Sequence, residues 1–288
     1  MPVDHYENFP VASWLCPPAL REPIEAIYRF ARTADDIADE GAQTALERQR
    51  DLDDYTLAFQ AALDGRPVAR WRDVMLPLAR AVHAHALPRH LFLDLLSAFR
   101  QDTGNPCYTN REDLLDYCAR SANPIGRLLL HLAQQDDDQL LEQSDAVCSA
   151  LQLINFWQDL SIDLPRGRCY VPRVDARRHG IALAELGSAI DTDATRALVA
   201  ELINWSRALM LRGAPLVHRL PGRFGWELRL VVHGGLRVLE KIERGGCRAL
   251  SRRPTVGVAD LPRLAWRALW MRRGTPTSTP AERRGTVA

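Results

Sequence analysis

Two groups of acidic side chains, more than a hundred residues apart, are the part of this chain best suited to chemistry. The first group contains Asp35, Asp36 and Asp39, and the second contains Asp159 and Asp163, with the amide of Asn155 one turn earlier. If each stretch is helical, residues four apart lie on one face, about 6 Å apart along the axis. Stacked carboxylates repel each other, and hard divalent cations with oxygen ligands are the usual way to neutralise them. The pattern therefore indicates Mg²⁺ and, behind it, a phosphate group.

The residues around both groups indicate that the acids face inward. Ile24 and Ile27 recur at helical spacing, and the same apolar stripe continues onto Asp35 and Asp39. Residues 151–163 show the same helical spacing of three and four residues, with almost no charged residue on the opposite side. The second acidic group is therefore expected on a helix that is buried nearly all round.

A plainer alternative is that each acidic group forms a solvated helix face or interacts with a helix dipole. Two such groups on apolar stripes favour the metal interpretation over this one. Asp36 lies one helical step off the line, so exposure to water is expected for it more than for Asp35 or Asp39.

Arginine and aromatic side chains near the acids suggest cleavage of a diphosphate ester. Arg32 and Arg168 would bind a diphosphate whose charge Mg²⁺ neutralises, although ordinary salt bridges are the alternative for both. If diphosphate leaves without a strong nucleophile, a carbocation remains, which needs a dry pocket lined by aromatic faces. Tyr28 and Tyr170 are the aromatic residues favoured for this role, with core packing as the alternative.

Composition narrows the class of protein. The chain has 288 residues, of which 47% are hydrophobic and 25% charged, which fits one large helical domain or two small ones. Residues 251–288 contain eight arginines against Asp260 and Glu282, so the body is acidic, which argues against nucleic-acid binding. The six cysteines have neither zinc-site nor disulfide spacing. No export signal or apolar run of ~20 residues is found, so we expect a cytoplasmic protein.

Hydrophobic periodicity is helical almost everywhere. It predicts helices near residues 19–40, 44–63, 70–86, 89–101, 110–121, 124–135, 138–163, 193–212 and 222–244. Residues 164–172 are predicted to form a loop by their Pro, Gly and Arg content. Because the two acidic groups lie in different halves of one helical array, we expect a single all-α domain over residues 1–250, with a central cavity.

Residues 251–288 are expected to form a basic C-terminal tail that is partly disordered. Within this tail, Trp266 and Trp270 lie one turn apart among arginines, as in a helix at a membrane interface. Peripheral contact with the inner face of a membrane is one interpretation, and packing against the domain is the other.

The motifs YRFARTADDIADE and NFWQDLSIDLPRGRCYVP resemble those of the trans-isoprenoid head-to-head synthases, the squalene and phytoene synthase family, over about residues 5–250. The resemblance implies an all-α isoprenoid-synthase bundle in which the two acidic groups face each other across Mg²⁺. It also implies that Tyr28 and Arg32 contact the cavity and the diphosphate, and that Arg168 and Tyr170 belong to the family's RGRxYxP loop.

Residues 5–17 and 121–126 are similar to the hopanoid-pathway branch of that family, which converts presqualene diphosphate to hydroxysqualene. His5 begins the first of these segments and either reaches the diphosphate or lies on the surface. No GxGxxG fingerprint follows a strand, which weakly favours quenching of the cation by water or proton loss over hydride. Tyr117, Asn123 and Gln152 are candidates to hold that water, with a structural hydrogen bond as the alternative for each.

The expected function is thus a Mg²⁺-dependent carbon–oxygen lyase that converts presqualene diphosphate to hydroxysqualene. One alternative is a prenyltransferase that condenses two prenyl diphosphates, such as farnesyl diphosphate, to presqualene diphosphate, squalene or phytoene. Another is a non-catalytic lipid-binding or assembly factor that shares the fold.

Overall fold

The computed structural model of the chain describes residues 18–220 and 222–271, which contain helices and no strand. The α-helices are α1 (Pro18–Asp39), α2 (Ala45–Leu63), α3 (Arg72–His85), α4 (Arg89–Asp102), α5 (Arg111–Ser121), α6 (Asn123–Leu132), α7 (Asp138–Gln158), α8 (Leu160–Asp163), α9 (Arg173–Arg178), α10 (Leu183–Leu186), α11 (Asp193–Gly213), α12 (Gly222–Arg244) and α13 (Leu261–Leu269). The predicted all-α class is confirmed.

Polar caps explain where several helices begin. Thr44 and Glu47 form a reciprocal capping box at the start of α2, with the Glu47 carboxylate accepting from the Thr44 backbone N–H at 2.8 Å. Asn110 and Asp137 accept backbone N–H groups in the first turns of α5 and α7. Each cap satisfies a backbone donor that the helix itself leaves without a partner.

The bundle has two main hydrophobic clusters. One lies among α1, α2, α3 and α4 and is built around four aromatic rings in stacked, tilted and edge-on contact. These rings are Phe30, Tyr55, Phe59 and Phe92. The other surrounds α7, which packs against α5, α6, α11 and α12. α7 is buried on almost every side, as the sequence predicts, and therefore occupies the centre of the molecule.

The predicted continuous helix over 138–163 is wrong at one residue. Asp159 adopts φ −101° and ψ 10°, which ends α7 and separates it from α8. The hydrogen bonds from Asp159 N to Asn155 O and from Asp163 N to Asp159 O nevertheless keep the spacing of four. The break at Asp159 therefore leaves residues before and after it at helical spacing.

The chain beyond residue 250 packs onto the bundle as far as it is described. Asp260 accepts hydrogen bonds from Arg237 and Lys241 of α12, and α13 buries Leu264 and Ala268. The rest of the predicted tail, residues 272–288, lies outside the described residues. Over the two described ranges, no helix is long and apolar enough to cross a membrane.

Candidate active site

A cavity of about 490 Å³ lies inside the bundle, between walls supplied by α1, α4, α5, α6, α7 and α12. Along α1 its lining changes from Ile24 to Asp35 and Asp39, and along α7 from Val147 to Asn155. The polar ends of both stretches lie together, so the cavity has one strongly polar end. Mostly apolar side chains line the remainder, with Ser144, Gln152 and Glu227 among them. The apolar lining includes Leu129, Leu130, Leu216, Leu220, Phe224 and Leu228.

Five of the six predicted metal ligands line this cavity. They are Asp35, Asp39, Asn155, Asp159 and Asp163. The sixth, Asp36, does not line it and instead pairs with Arg32 at 2.7 Å. Asp36 lies off the stripe that Asp35 and Asp39 continue, so its side chain leaves the helix in another direction.

Arginine side chains neutralise the acids from several elements. Arg32 contacts Asp35 at 3.2 Å, and Arg168, from the loop after α8, donates to Asp39 at 2.8 Å. Arg253 donates to both carboxylate oxygens of Asp159, at 2.5 and 3.2 Å. Arg253 was missed by sequence reasoning because it lies 94 residues from Asp159 in the chain. No local spacing connects the two residues.

The second acidic row remains short of positive charge. Burial, followed by the neighbouring Asp159 carboxylate, raises the pKa of Asp163 to about 6 from its usual 3.8. A divalent cation near Asp163 would favour its ionised form and remove this penalty. The electrostatics of the row are therefore those of a site that gains from binding a cation.

The donor set fits Mg²⁺, although no three acidic, histidine or cysteine side chains in the described ranges are close enough to hold an ion together. All the predicted ligands offer oxygen, which Mg²⁺ prefers. Mg²⁺ also keeps several waters and is commonly held by one or two carboxylates plus substrate phosphates. Each row could thus contribute one or two ligands, with diphosphate oxygens and water completing the coordination.

Aromatic rings line the wall next to the acids. Phe156 and Tyr170 stack with their ring centroids 3.7 Å apart, and Tyr117 lies 6.1 Å from each of them. Tyr28 also lines the cavity, one helical turn before Arg32. An aromatic wall of this kind could stabilise a positive charge in the cavity.

Asp102 is a site residue that sequence reasoning missed. It lines the cavity at the end of α4, and its Oδ2 accepts a hydrogen bond of 2.8 Å from the Tyr117 hydroxyl. Burial, with smaller contributions from Asp39 and Asp35, raises its pKa to about 7. A buried carboxyl in a cleft with such a shift is a signature of functional sites. Its sequence context, the turn DTGNP, shows only the end of a helix.

Of the remaining predicted substrate contacts, some line the cavity and others do not. Gln152 and Tyr117 line the cavity. Asn123 does not line it, because its side chain is buried beside α7 and its Oδ1 accepts from Ser149 at 2.9 Å. His5 lies outside the described residues.

A helical bundle with opposed acidic rows at one end of an apolar cavity defines the class of isoprenoid synthases. The family profile of squalene/phytoene synthase matches residues 3–260, and the chain belongs to this family. The resemblance noted in the sequence motifs is thereby confirmed.

Several relatives are hydroxysqualene synthases. The protein from Sinorhizobium fredii is 38% identical over 184 residues, covering 64% of this chain and 61% of the relative. The one from Rhodopseudomonas palustris is 32% identical over 239 residues, covering 82% and 80%. A presqualene diphosphate synthase of Zymomonas mobilis is 32% identical over 177 residues, covering 61% and 60%. The match thus spans only about three fifths of the first of these proteins.

Solved structures agree with the family assignment. The crystal structure of squalene synthase HpnC from Alicyclobacillus acidocaldarius superposes with a TM-score of 0.77 at 36% identity, covering 84% of this chain and 90% of that one. A dehydrosqualene synthase superposes with a TM-score of 0.74 at 20% identity, covering 88% of both chains, which supports the fold alone.

Proposed function

We propose that this protein converts presqualene diphosphate to hydroxysqualene, releasing diphosphate with Mg²⁺ and quenching the resulting cation with water. The observation that supports this most is the placement of five predicted metal ligands at one end of a mostly apolar cavity. The hydroxysqualene synthases among its relatives support the choice of substrate and product.

The chain's own residues divide the work by position. The arginines at the polar end, Arg32 and Arg168, bind and orient the diphosphate. When bound at the acidic rows, Mg²⁺ would neutralise the charge that develops on the departing diphosphate. Phe156 and Tyr170, stacked on each other, supply aromatic surface to the cavity wall, and the mostly apolar lining excludes bulk water from the cation.

The deciding experiment incubates purified protein with presqualene diphosphate and Mg²⁺ in water enriched in oxygen-18. We expect release of diphosphate and an alcohol of hydroxysqualene mass that contains one oxygen-18 atom. Omission of Mg²⁺ in the presence of a chelator should stop the reaction. An alcohol without the label, or no turnover at all, would refute the proposal.

A second candidate is condensation of two farnesyl diphosphates, favoured by the presqualene diphosphate synthase among the relatives. The same assay with farnesyl diphosphate alone, with and without NADPH, tests it. Presqualene diphosphate, squalene or a diene as product would identify a prenyltransferase. If neither substrate is consumed, the non-catalytic lipid-binding alternative gains support.

We also propose peripheral contact with an anionic membrane through α13. Trp266 and Trp270 are 64% and 58% exposed, and Leu269 between them is exposed as well. Arg229 packs over Trp226 of α12 and reaches the carbonyl of Ala268, which brings a fourth exposed apolar side chain to the same surface. Asp260, the only acid among residues 251–271, is buried, and Glu240 of α12 pairs with Arg263 and Arg267. The contact would therefore depend on the exposed apolar side chains more than on positive charge.

Vesicle sedimentation tests this contact. The protein should bind vesicles containing phosphatidylglycerol, and a Trp266→Ala, Trp270→Ala double variant should lose at least tenfold in affinity. Leu57→Ala, at an exposed leucine on α2, serves as the control. Equal binding by all three proteins would contradict the contact, and self-association in place of vesicle binding would assign the surface to a second copy.

A further inference from the structure

We propose that Asp102, together with Tyr117 and Ser121, holds the water that quenches the cation, and that the Asp102 carboxylate accepts the proton of that water. This inference rests on the proposed function and identifies the residues that would direct its last step. It concerns side chains from two helices, α4 and α5, that meet in the cavity wall.

Two polar atoms in this part of the wall are buried without a partner among the described residues. They are Oδ1 of Asp102 and the hydroxyl of Ser121. Ser121 lies one turn after Tyr117, so both project from the same face of α5, about 6 Å apart along the axis. Buried polar groups are otherwise almost always hydrogen-bonded, and a bound water is the usual explanation for exceptions.

Tyr117 fixes the orientation of the carboxylate. Its hydroxyl donates to Oδ2 of Asp102, which leaves Oδ1 as the oxygen with accepting capacity. Tyr117 itself packs against Tyr108, Phe156 and Tyr170, so its ring has little freedom to move. The carboxylate is thus held at the aromatic wall where the cation would form.

The other acids that line the cavity are less suited to this role. Asp163 belongs to the second acidic row, and Glu227 lines the cavity from α12 and has an interaction of its own. Asp35, Asp39 and Asp159 each contact an arginine, and these residues belong to the rows that would hold metal and diphosphate. Asp102 has no arginine contact among the described residues and a pKa near neutrality, the range in which a carboxyl is an efficient general base.

Asn123 was a candidate to hold this water in the sequence analysis, whereas the structure favours Asp102, Tyr117 and Ser121. Its carbonyl is already occupied by Ser149, away from the cavity. Gln152 lines the cavity from α7 but is not among the side chains with a buried unpartnered atom.

The step balances without an oxidant or reductant. The water oxygen forms a bond to the cationic carbon, one O–H bond of the water breaks, and its proton passes to the Asp102 carboxylate. The products are a neutral alcohol and a protonated Asp102, which returns its proton to solvent before the next turnover. Without an ordered water, the cation would instead lose a proton from carbon and give a diene.

The test compares products of the wild type, Asp102→Asn, Ser121→Ala and Asp116→Asn with presqualene diphosphate and Mg²⁺. Asp116 is an exposed carboxylate on α5 outside the cavity lining, so it controls for the change in charge. We expect the ratio of alcohol to hydrocarbon, measured by mass, to fall at least tenfold in Asp102→Asn and severalfold in Ser121→Ala. Asp116→Asn should keep the wild-type ratio.

The outcomes separate this inference from the function on which it rests. If the wild type forms no labelled alcohol, the proposed function fails. If it does, and Asp102→Asn gives the wild-type ratio, only the inference fails. Loss of diphosphate release in Asp102→Asn with intact helical content would place Asp102 in the departure step and also overturn it. If that variant does not fold, an unchanged ratio in Ser121→Ala overturns it.

Discussion

At the scale of single residues, the acidic rows occupy an unfavourable position that a cation would relieve. Asp35 and Asp39 lie near the C-terminal end of α1, and Asp159 is the residue that caps the C-terminal end of α7. The C-terminal end of a helix carries partial negative charge, which adds to the repulsion among carboxylates. Arg32, Arg168 and Arg253 neutralise part of this negative charge in the metal-free protein. Bound Mg²⁺ would neutralise more of it.

Asp35→Asn and Asp36→Asn form a matched pair at adjacent positions. Asp35 lines the cavity, and we expect its loss to reduce Mg²⁺-dependent diphosphate release at least a hundredfold, because the row loses a charged ligand. Asp36 points elsewhere, so its variant should stay within severalfold of the wild type.

Diphosphate release at saturating substrate, with helical content checked by circular dichroism, measures both variants. Equal activity in the two variants would contradict the assignment of Asp35 as a ligand.

Hydrophobic periodicity predicted a site residue correctly only where that residue lies on the apolar stripe of a single helix. Asp35, Asp39 and Asn155 lie at helical spacing from apolar neighbours, so their direction could be deduced. Arg253 and Asp102 reach the site from remote segments or from a helix end, and no repeat in the sequence announces such contacts. Asn123 lies between α6 and α7 and outside the cavity lining, a difference that its place in the sequence does not show.

At the scale of elements, the site depends on close packing around α7. Gly213, at the end of α11, lies against this helix. A Cβ atom there would approach Val147 N to 2.8 Å and the carbonyl oxygen of Gln143 more closely still. The two helices therefore pack at a distance that only glycine permits at this position.

Gly213→Ala and Gly234→Ala test this packing with the same chemical change. The first should destabilise the protein by about 1–3 kcal/mol, because backbone atoms of α7 must move. The second lies within α12 with nothing within 4 Å of the added methyl group, so it should be neutral or stabilising by up to ~1 kcal/mol. Thermal unfolding measures both, and a stabilised Gly213→Ala would disprove the close approach.

Most long helices could be predicted from the sequence to within a few residues, because each combines an apolar stripe with a recognisable cap or proline, such as Pro88 before α4. The short α9 and α10 were not predicted individually. With six and four residues, they span too few turns to show a helical period. The packing of residues 251–271 onto the bundle depends on tertiary contacts such as Asp260 with Arg237, which composition does not show.

At the scale of the whole molecule, buried carboxyls should make the stability of the metal-free protein depend on pH. The Asp102 pKa is raised to about 7 by burial, whereas in the unfolded chain it would lie near 3.8. The folded state therefore keeps this proton to higher pH than the unfolded state does. Its contribution to stability is fully present below pH 4 and is lost as the pH rises toward 7 and beyond.

Asp102→Asn isolates this contribution, because asparagine stays neutral at every pH. The free energy of unfolding of the variant, relative to wild type, should increase between pH 4 and pH 7, by at most about 1.4 kcal/mol per pH unit, and then level off. Denaturant unfolding at several pH values, in chelator to keep metals from the acidic rows, gives the difference curve. Asp116→Asn, at an exposed position, should give a nearly flat curve. A flat curve for Asp102→Asn would mean that the Asp102 carboxyl of the wild type is ionised at little cost in the folded protein. Asp102 would then not be a proton acceptor with a pKa near neutrality.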